Sequence, residues 1–440
     1  LMRDIILIVL LITCFLGGTN CLAKAEGWPI ADGTFIQENL LISWDDETLD
    51  KEMAYIKELG MTYVIFAPTA MGQGNDNYLT TLYPTKVDGW LEKYPGKDLV
   101  ERYFVAAKKA GLKVILGLNF NDLWWKKGGG DSKWLNDQME LGNKVAKELY
   151  ENYYSRYQDT FVGWYYVWEI DNISFKGKAR EKALIDAMNI QIDYLNELDP
   201  NLFFMFCPFM NANLGSKEGY RDFWIRVFNE VHLRPGDIFA PMDCVGGGGL
   251  NLNNFRDWFQ ELRKAVDTKP GLLFWSDTET FDHTDWTSVP IGQFVEQMKG
   301  AAPYVENLIT FAYTHYYSPN VTDYGFHQTY LEYVKTGEIE KEPPEAPYNL
   351  QMMELPDGSN YLLWSEGEDN IGIAGYIIYR DGRKVGRTQI ERVGSSGGFA
   401  KAYKETARLK SGRTYKYVVR AYDFAGNLSP ESEVLEVIAK

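Results

Sequence analysis

Eight short apolar runs alternate with eight longer amphipathic segments between residues 34 and 336, and this alternation limits the possible folds more than any other feature. The predicted strands are 34–36, 63–67, 113–118, 161–167, 203–207, 237–241, 271–275 and 307–312. The predicted helices are 46–59, 97–110, 135–157, 179–198, 220–231, 252–266, 290–301 and 324–336. Strands that are each followed by a helix pair in parallel, and eight such units in about 300 residues predict an α/β domain folded as a closed (β/α)8 TIM barrel. No Gly-x-Gly-x-x-Gly motif follows the first strand, which disfavours a dinucleotide-binding sheet.

A second, different domain is predicted beyond a charged and proline-rich stretch at residues 338–347 (EIEKEPPEAP), which has no apolar period and is typical of a linker. Short alternating strands then follow, separated by turn residues such as Asp381-Gly382, and this pattern predicts an antiparallel β sandwich. We therefore expect a signal peptide at 1–25, a barrel domain at 26–337, a linker at 338–347 and an all-β domain at 348–440.

The N-terminus carries the pattern of an export signal. Residues 5–18 (IILIVLLITCFLGG) form an apolar run behind Arg3, typical of the hydrophobic region of a secretory signal. The run is too short to span a bilayer comfortably, so no transmembrane helix is expected in the mature chain. Two alternatives stay open for its processing, lipid modification at Cys21 or simple cleavage near residues 23–25. Either way, we predict a protein exported to the periplasm, the cell surface or the medium.

Charge and aromatic content narrow the classes of partner. The chain has 45 Lys and Arg residues against 61 Asp and Glu, a formal net charge of -16, whereas a nucleic-acid binder needs a basic surface. Aromatic residues make up 15% of the chain, and their flat faces pack in cores or stack on the apolar faces of sugar rings. We therefore predict a carbohydrate partner and no nucleic acid.

Several carboxylates follow the predicted strands, at the end of a parallel barrel where catalytic groups collect. Glu169 follows the fourth strand, Asp243 follows the sixth, and Asp277 and Glu279 follow the seventh on one strand face. Hydrolysis of a glycosidic bond needs one carboxylic acid to protonate the leaving oxygen and a second carboxylate, and it needs no cofactor. Asp277 is also compatible with a helix cap or a surface ion pair.

Other polar and aromatic residues follow the same strands and are predicted to bind substrate. They are Asn119, Asn121, Trp124 and Trp125 after the third strand, Trp168 beside Glu169, and Tyr313 and His315 after the eighth. An indole can stack on a sugar ring while amides bind its hydroxyl groups, although these tryptophans could equally pack under their own loops. The four histidines lack metal-ligand spacing, so no metal is predicted.

Four segments of the first domain resemble a known family. They are 33–37 (GTFIQ), 163–171 (GWYYVWEID), 240–246 (APMDCVG) and 274–281 (FWSDTETF). Over nearly all of residues 30–335 the chain is similar to exported bacterial barrel proteins of unknown function that are regarded as glycosidases. A Glu after strand four and another after strand seven also resembles the large retaining glycosidase clan. That resemblance implies that Glu169 is the acid/base and Glu279 the nucleophile, although the clan normally has Asn where this chain has Trp168.

The last domain resembles fibronectin type III modules. The resemblance rests on residues 375–382 (GYIIYRDG) and 415–429 (YKYVVRAYDFAGNLS), and it extends over about 90 residues. It implies a spacer or contact module rather than a catalyst.

Taken together, these patterns predict an exported glycoside hydrolase that acts on an oligo- or polysaccharide. Two alternatives remain: a non-catalytic carbohydrate-binding surface protein on a barrel scaffold, and a metal-assisted hydrolase that uses Asp243, Glu279 and His315. The separation of the Glu169 and Glu279 carboxyls distinguishes a retaining from an inverting enzyme.

Overall fold

The computed structural model describes residues 27–74, 78–390 and 401–439. The predicted signal peptide at 1–25 and the predicted modification at Cys21 lie outside the described residues. Within the described ranges, none of the helices combines the length and the apolar character that crossing a membrane requires.

Eight parallel strands form a closed barrel, as predicted. They are β1 (Gly33–Phe35), β2 (Tyr63–Phe66), β3 (Lys113–Gly117), β4 (Phe161–Tyr166), β5 (Phe203–Phe206), β6 (Ile238–Phe239), β7 (Leu273–Glu279) and β8 (Asn307–Phe311). Each strand pairs with the next along the chain, and β1 closes the ring on β8 with Gly33 opposite Ile309. The expected (β/α)8 barrel is therefore confirmed.

Each strand is followed by a helix of the outer layer. These are α1 (Asp46–Glu58), α2 (Leu99–Ala110), α3 (Ser132–Leu149), α4 (Lys178–Leu198), α5 (Lys217–Glu230), α6 (Phe255–Val266), α7 (Ile291–Ala301) and α8 (Tyr324–Thr336). Helix α3 continues through a π-helical turn (Tyr150–Tyr154) to Ser155–Tyr157, and short helices occupy Glu38–Ser43, Trp124–Lys127, Gly128–Gly130 and Tyr313–Tyr316. Helices α1, α2 and α3 begin where the side chains of Asp45, Asp98 and Asp131 accept backbone N–H groups of the first turn.

The strands separate two apolar layers because their side chains alternate between the two faces. The barrel interior is filled by Phe35, Ile65, Ile115, Tyr165, Met205, Cys207, Ile238, Trp275 and Ile309. Their neighbours along the strands, such as Val64 and Phe66 on either side of Ile65, belong to the larger core between strands and helices. The interior is a packed core, so a ligand can bind only at its ends.

Two small sheets lie at the carboxyl end of the barrel. One contains Ala70–Gly72, Leu79–Thr81, Leu91–Glu92 and Asn119–Asn121. The other is a hairpin of Phe281–Asp282 and Thr287–Ser288 that directly follows β7. We call residues 281–288 the β7 hairpin.

The chain then forms an all-β domain, which confirms the predicted change of class. Its strands are β9 (Tyr348–Glu354), β10 (Asn360–Ser365), β11 (Ile373–Arg380), β12 (Arg383–Gln389), β13 (Ala402–Glu405), β14 (Thr414–Asp423) and β15 (Leu435–Ile438). One antiparallel sheet has the order β9-β10-β13 and the other β12-β11-β14-β15. Asp381 and Gly382 join β11 to β12 with φ angles of 51° and 75°, as a tight two-residue hairpin turn requires. We call residues 348–438 the C-terminal β domain.

Candidate active site

A cavity of about 510 Å³ lies at the carboxyl end of the barrel. It is lined by Gln37, Trp125, Glu169, Phe209, Met210, Asn211, Met242, Cys244, Gly247, Gly249, Glu279, Phe281, His283, Trp286 and Phe311. Glu169 and Glu279 are the acidic residues of this wall, and no Lys or Arg of the described chain belongs to it. The structure therefore places the two predicted catalytic carboxylates in one cavity with an aromatic surround.

Glu169 follows β4 and is only partly buried, facing the cavity. Removal from water raises the pKa of its carboxyl to about 7, because desolvation disfavours the charged form. Its backbone carbonyl accepts a hydrogen bond from the Trp124 indole at 3.0 Å, which fixes the chain at this point. Such a carboxyl is protonated in a substantial share of molecules near neutral pH.

Glu279 is the last residue of β7, and its side chain is held by the loop that follows β6. The backbone N–H of Gly247 donates a hydrogen bond of 2.6 Å to Glu279 Oε2. The preceding Gly246 has no room for a side chain, since a Cβ there would lie 2.3 Å from the Phe281 carbonyl oxygen and 2.9 Å from Glu279 Cβ. The glycine run at 246–249 thus lets the backbone approach the carboxylate closely. Burial, and next the charge of Asp243, raise the pKa of Glu279 well above its usual range, while the Gly247 hydrogen bond opposes this shift.

Asp243 lies behind Glu279 and is fully buried. Its Oδ1 accepts from the backbone N–H groups of Val245 at 3.1 Å and Glu279 at 3.4 Å, and its Oδ2 accepts from Gln297 Nε2 at 2.7 Å. The same Gln297 amide donates to the backbone carbonyl of Glu279 at 2.9 Å. Burial raises the pKa of Asp243 to about 7. Asp243 therefore helps to fix the backbone of Glu279, directly and through Gln297. It is not among the residues that line the cavity.

Asp277, two residues before Glu279, is also fully enclosed, and its Oδ1 has no hydrogen-bond partner among the described residues. Burial, followed by the charges of Asp243 and Glu169, raises the pKa of Asp277 well above its usual range. Four acidic groups thus share a poorly solvated region, and in the described chain no Lys or Arg contributes to their pKa shifts. Because like charges cannot all be accommodated there, at least one of these carboxyls holds a proton near neutrality.

Aromatic side chains form two exposed platforms at the cavity. Trp125 is 55% exposed and contacts Phe209, with ring centroids 6.3 Å apart. Trp286 is 61% exposed and stacks on Phe281 at 5.3 Å with a 17° interplanar angle. These two indoles are available to a flat ligand face.

The other predicted binding tryptophans are buried instead. Trp124 and Trp168 are 4% and 1% exposed, pack against each other at 5.5 Å, and are not among the lining residues. Their rings pack beside the segment that carries Glu169. Of the two alternatives given for these tryptophans in the sequence analysis, the structure therefore has packing under their own loops.

Four other residues predicted to bind substrate also do not line the cavity. Asn119 Nδ2 donates to the Gln138 carbonyl at 3.1 Å, and Asn121 Oδ1 accepts the N–H of Leu123 at 3.0 Å. Tyr313 is buried and its hydroxyl pairs with His327 Nδ1 at 2.7 Å, while His315 stacks on Phe311 at 5.7 Å. The residues that line the cavity do not include these four, and their predicted roles in binding stay predictions.

Sequence reasoning missed several lining residues, among them Gln37, Phe209, Asn211, His283 and Trp286. Most of them lie several residues beyond a strand end, in loops that turn back over the mouth of the barrel.

Cys207 and Cys244 are both buried and form no disulfide bond. The described ranges contain no group of three or more His, Cys, Asp or Glu side chains arranged to hold a metal ion.

The fold and the cavity define a class, the α/β-barrel proteins with two glutamates at a carboxyl-end cavity. The model of the family described as a domain of unknown function (DUF4434) matches residues 31–323, and the chain belongs to that family. A solved structure from Bacteroides thetaiotaomicron VPI-5482, described as a proposed α-L-fucosidase, is 21% identical with a TM-score of 0.56, covering 73% of this chain and 99% of that one. At this identity the likeness shows a shared fold.

Curated relatives match over shorter stretches. An alpha-amylase of Niallia circulans is 38% identical over 88 residues, and chitinase Chi52 of Paenibacillus xylanexedens is 35% identical over 95 residues. These matches span 20% and 22% of this chain but only 6% and 16% of the two relatives.

Proposed function

We propose that this chain is an exported glycoside hydrolase that cleaves glycosidic bonds of an oligo- or polysaccharide. The observation that carries the proposal is the pair Glu169 and Glu279, which follow strands β4 and β7 and line one aromatic cavity with raised pKa values. The barrel shared with a proposed fucosidase and the partial matches to a chitinase and an amylase support the same reaction class. Export rests on the apolar run at residues 5–18, with a lipid anchor at Cys21 or cleavage as the two outcomes.

The two glutamates take different roles because their surroundings differ. Glu169, whose carboxyl is shifted by desolvation alone, donates its proton to the glycosidic oxygen as the bond to the anomeric carbon breaks. Glu279 carries the hydrogen bond from Gly247, which favours its charged form, and it supplies the carboxylate at the anomeric carbon in the molecules in which the neighbouring Asp243 holds the proton that the two groups share. It either attacks that carbon, after which Glu169 activates the water that releases the sugar, or activates the water directly. Proton NMR of the first product anomer distinguishes these retaining and inverting routes.

The C-terminal β domain is, in this proposal, a fibronectin type III-like module joined to the catalytic barrel. The paired antiparallel sheets of four and three strands and the tight turn at Asp381-Gly382 support the assignment.

The proposal is tested by incubating the full chain with a library of glycans and measuring released reducing sugar. Turnover of at least one neutral glycan by the wild-type protein, absent with the Glu279→Gln variant, is expected. Binding of a glycan by both proteins with turnover by neither would instead favour the non-catalytic carbohydrate-binding protein.

The pH profile of hydrolysis should be bell-shaped. Activity falls as pH rises through about 7, because Glu169 loses its proton, and falls on the acid side as the Asp243–Glu279 pair becomes fully protonated. Asp243→Asn removes a charge that raises the pKa of Glu279, so the acid limb should move to lower pH while the basic limb stays. Asp277→Asn, which removes a smaller influence on Glu279, should move it less. An acid limb that does not move in Asp243→Asn would contradict the assigned coupling.

Trp125 should contribute binding through its exposed indole. We expect Trp125→Ala to weaken glycan binding about tenfold, near 1.4 kcal/mol, because one stacking face is lost. Tyr348→Ala removes a half-exposed ring from the C-terminal β domain and serves as the matched control. Equal affinities of the two variants, measured by calorimetry, would remove Trp125 from the binding surface.

A further inference from the structure

The β7 hairpin joins the active-site cavity to the C-terminal β domain. Phe281, His283 and Trp286 of this hairpin line the cavity. Trp286 has a φ of 56°, a left-handed conformation that a residue with a side chain adopts at a cost. A short two-stranded hairpin is only marginally stable by itself, so its position depends on what it packs against.

Arg387 of strand β12 reaches across to the acidic side of this hairpin. Its Nε donates to Asp285 Oδ2 at 2.9 Å, and its Nη2 donates to Asp282 Oδ2 at 3.1 Å and to Thr287 Oγ1 at 2.6 Å. The guanidinium side chain is only 11% exposed, so these charge-assisted bonds are shielded from solvent. Three hairpin residues separated along the turn are thus tied to one rigid planar group.

Gln389, the last residue of β12, binds the same hairpin through its amide. The Ser288 N–H donates to Gln389 Oε1 at 3.1 Å, and Gln389 Nε2 donates to the Ser288 carbonyl at 2.8 Å. The side-chain amide therefore satisfies both backbone groups of Ser288, as a neighbouring strand would.

The start of helix α7, just beyond the hairpin, is completed by the same domain. Pro290 precedes α7 and offers no side-chain cap, yet the first backbone N–H groups of a helix need acceptors. The N–H groups of Ile291 and Gly292 donate to the carbonyls of Phe424 and Ala425, each at 2.9 Å. A Cβ on Gly292 would lie 2.4 Å from the Ala425 oxygen, so the two domains meet with no space between their backbones.

From these contacts we infer that the C-terminal β domain is part of the substrate-binding apparatus. Arg387 and Gln389 are positioning residues that hold the β7 hairpin, and with it Trp286, at the cavity wall where the sugar ring stacks. The inference rests on the proposed function and extends it, because it gives the C-terminal β domain a role in affinity for the glycan rather than that of a spacer. Neither residue touches the reacting atoms.

The test compares Arg387→Met with Arg413→Met in the full-length protein. Arg413 pairs with Asp381 at 2.8 Å elsewhere on the same domain, so its variant loses an arginine ion pair of that domain, a more exposed one, without touching the hairpin. Amide hydrogen exchange over residues 281–288 should accelerate at least about tenfold in Arg387→Met and stay unchanged in Arg413→Met. Arg387→Lys, which keeps the charge but loses the planar fork, should fall between them.

Kinetics on a hydrolysed glycan supply the second readout. Arg387→Met should raise KM about tenfold with kcat changed less than about twofold, because Arg387 contacts neither Glu169 nor Glu279, whereas loss of its bonds to Asp282, Asp285 and Thr287 displaces the stacking face. Gln389→Ala should show the same split to a smaller degree, and it serves if Arg387→Met folds poorly. Unchanged hairpin exchange, or faster exchange with an unchanged KM, would overturn the inference. If the wild-type protein hydrolyses no glycan, the proposed function fails, while hairpin exchange and glycan affinity still decide the positioning role.

Discussion

Glu279→Gln should lower kcat by at least about a thousandfold, roughly 4 kcal/mol of transition-state stabilisation. The amide cannot act as nucleophile or base, yet it is isosteric and its carbonyl oxygen still accepts the Gly247 hydrogen bond. Glycan affinity should therefore remain within a few-fold of the wild-type value. Initial rates and calorimetric titration of the same preparation separate these two effects.

The same substitution should not destabilise the protein at neutral pH. In the folded chain the pKa of Glu279 lies well above its usual value, so folding takes up a proton when pH exceeds the unfolded pKa. The stability contributed by this group is therefore full below about pH 4.5 and is lost as pH rises through the folded pKa. Thermal unfolding midpoints of the wild type should decline over that window more steeply than those of Glu279→Gln. An inactive variant that also unfolds at lower temperature would point to a structural rather than a catalytic role.

The barrel could be predicted because the positions of its strands and helices follow from local patterns of apolar residues. The exceptions have a physical cause. Strand β7 was expected to end at residue 275 but continues to Glu279, because Ser276, Asp277 and Thr278 are polar and nevertheless buried against β8. A pattern of apolar residues cannot reveal a strand made of polar residues, because such a strand is buried only by contacts with residues far along the chain.

The position of Glu169 and Glu279 at the mouth of the barrel could be predicted from one rule, that catalytic groups collect at the carboxyl ends of parallel strands, and their proposed roles came from a family resemblance. The rest of the cavity could not be predicted in this way. Trp124 and Trp168 lie in the segments that follow two of the strands but are buried beside the Glu169 segment, and nothing local distinguishes them from the exposed Trp125. Trp286 reaches the cavity only because the β7 hairpin folds back, and its fixed position depends on Arg387, about 100 residues later. Contacts over such distances leave no periodic signal in a single sequence.

Glu169→Gln should slow hydrolysis about 10²–10⁴-fold for substrates with poor leaving groups, since these need a proton on the departing oxygen. Aryl glycosides with strongly acidic leaving groups need little such help and should lose much less. The basic limb of the pH profile near pH 7 should also disappear, because the group that titrates there is gone. Rates across a series of aryl glycosides and across pH measure both effects on one variant.

Glu52→Gln is the matched control for this prediction. Glu52 is fully buried, burial raises its pKa to about 7 as well, and Asn320 Nδ2 donates to it at 2.8 Å outside the cavity. Its removal should change rates for good and poor leaving groups by the same factor and should leave the basic limb in place. If Glu169→Gln behaved in this uniform way, the proton donor would have to be sought elsewhere in the acidic cluster. Since burial raises the pKa values of Glu169 and Glu52 alike, a difference between the variants isolates position at the cavity as the property on which the proposed acid role of Glu169 depends.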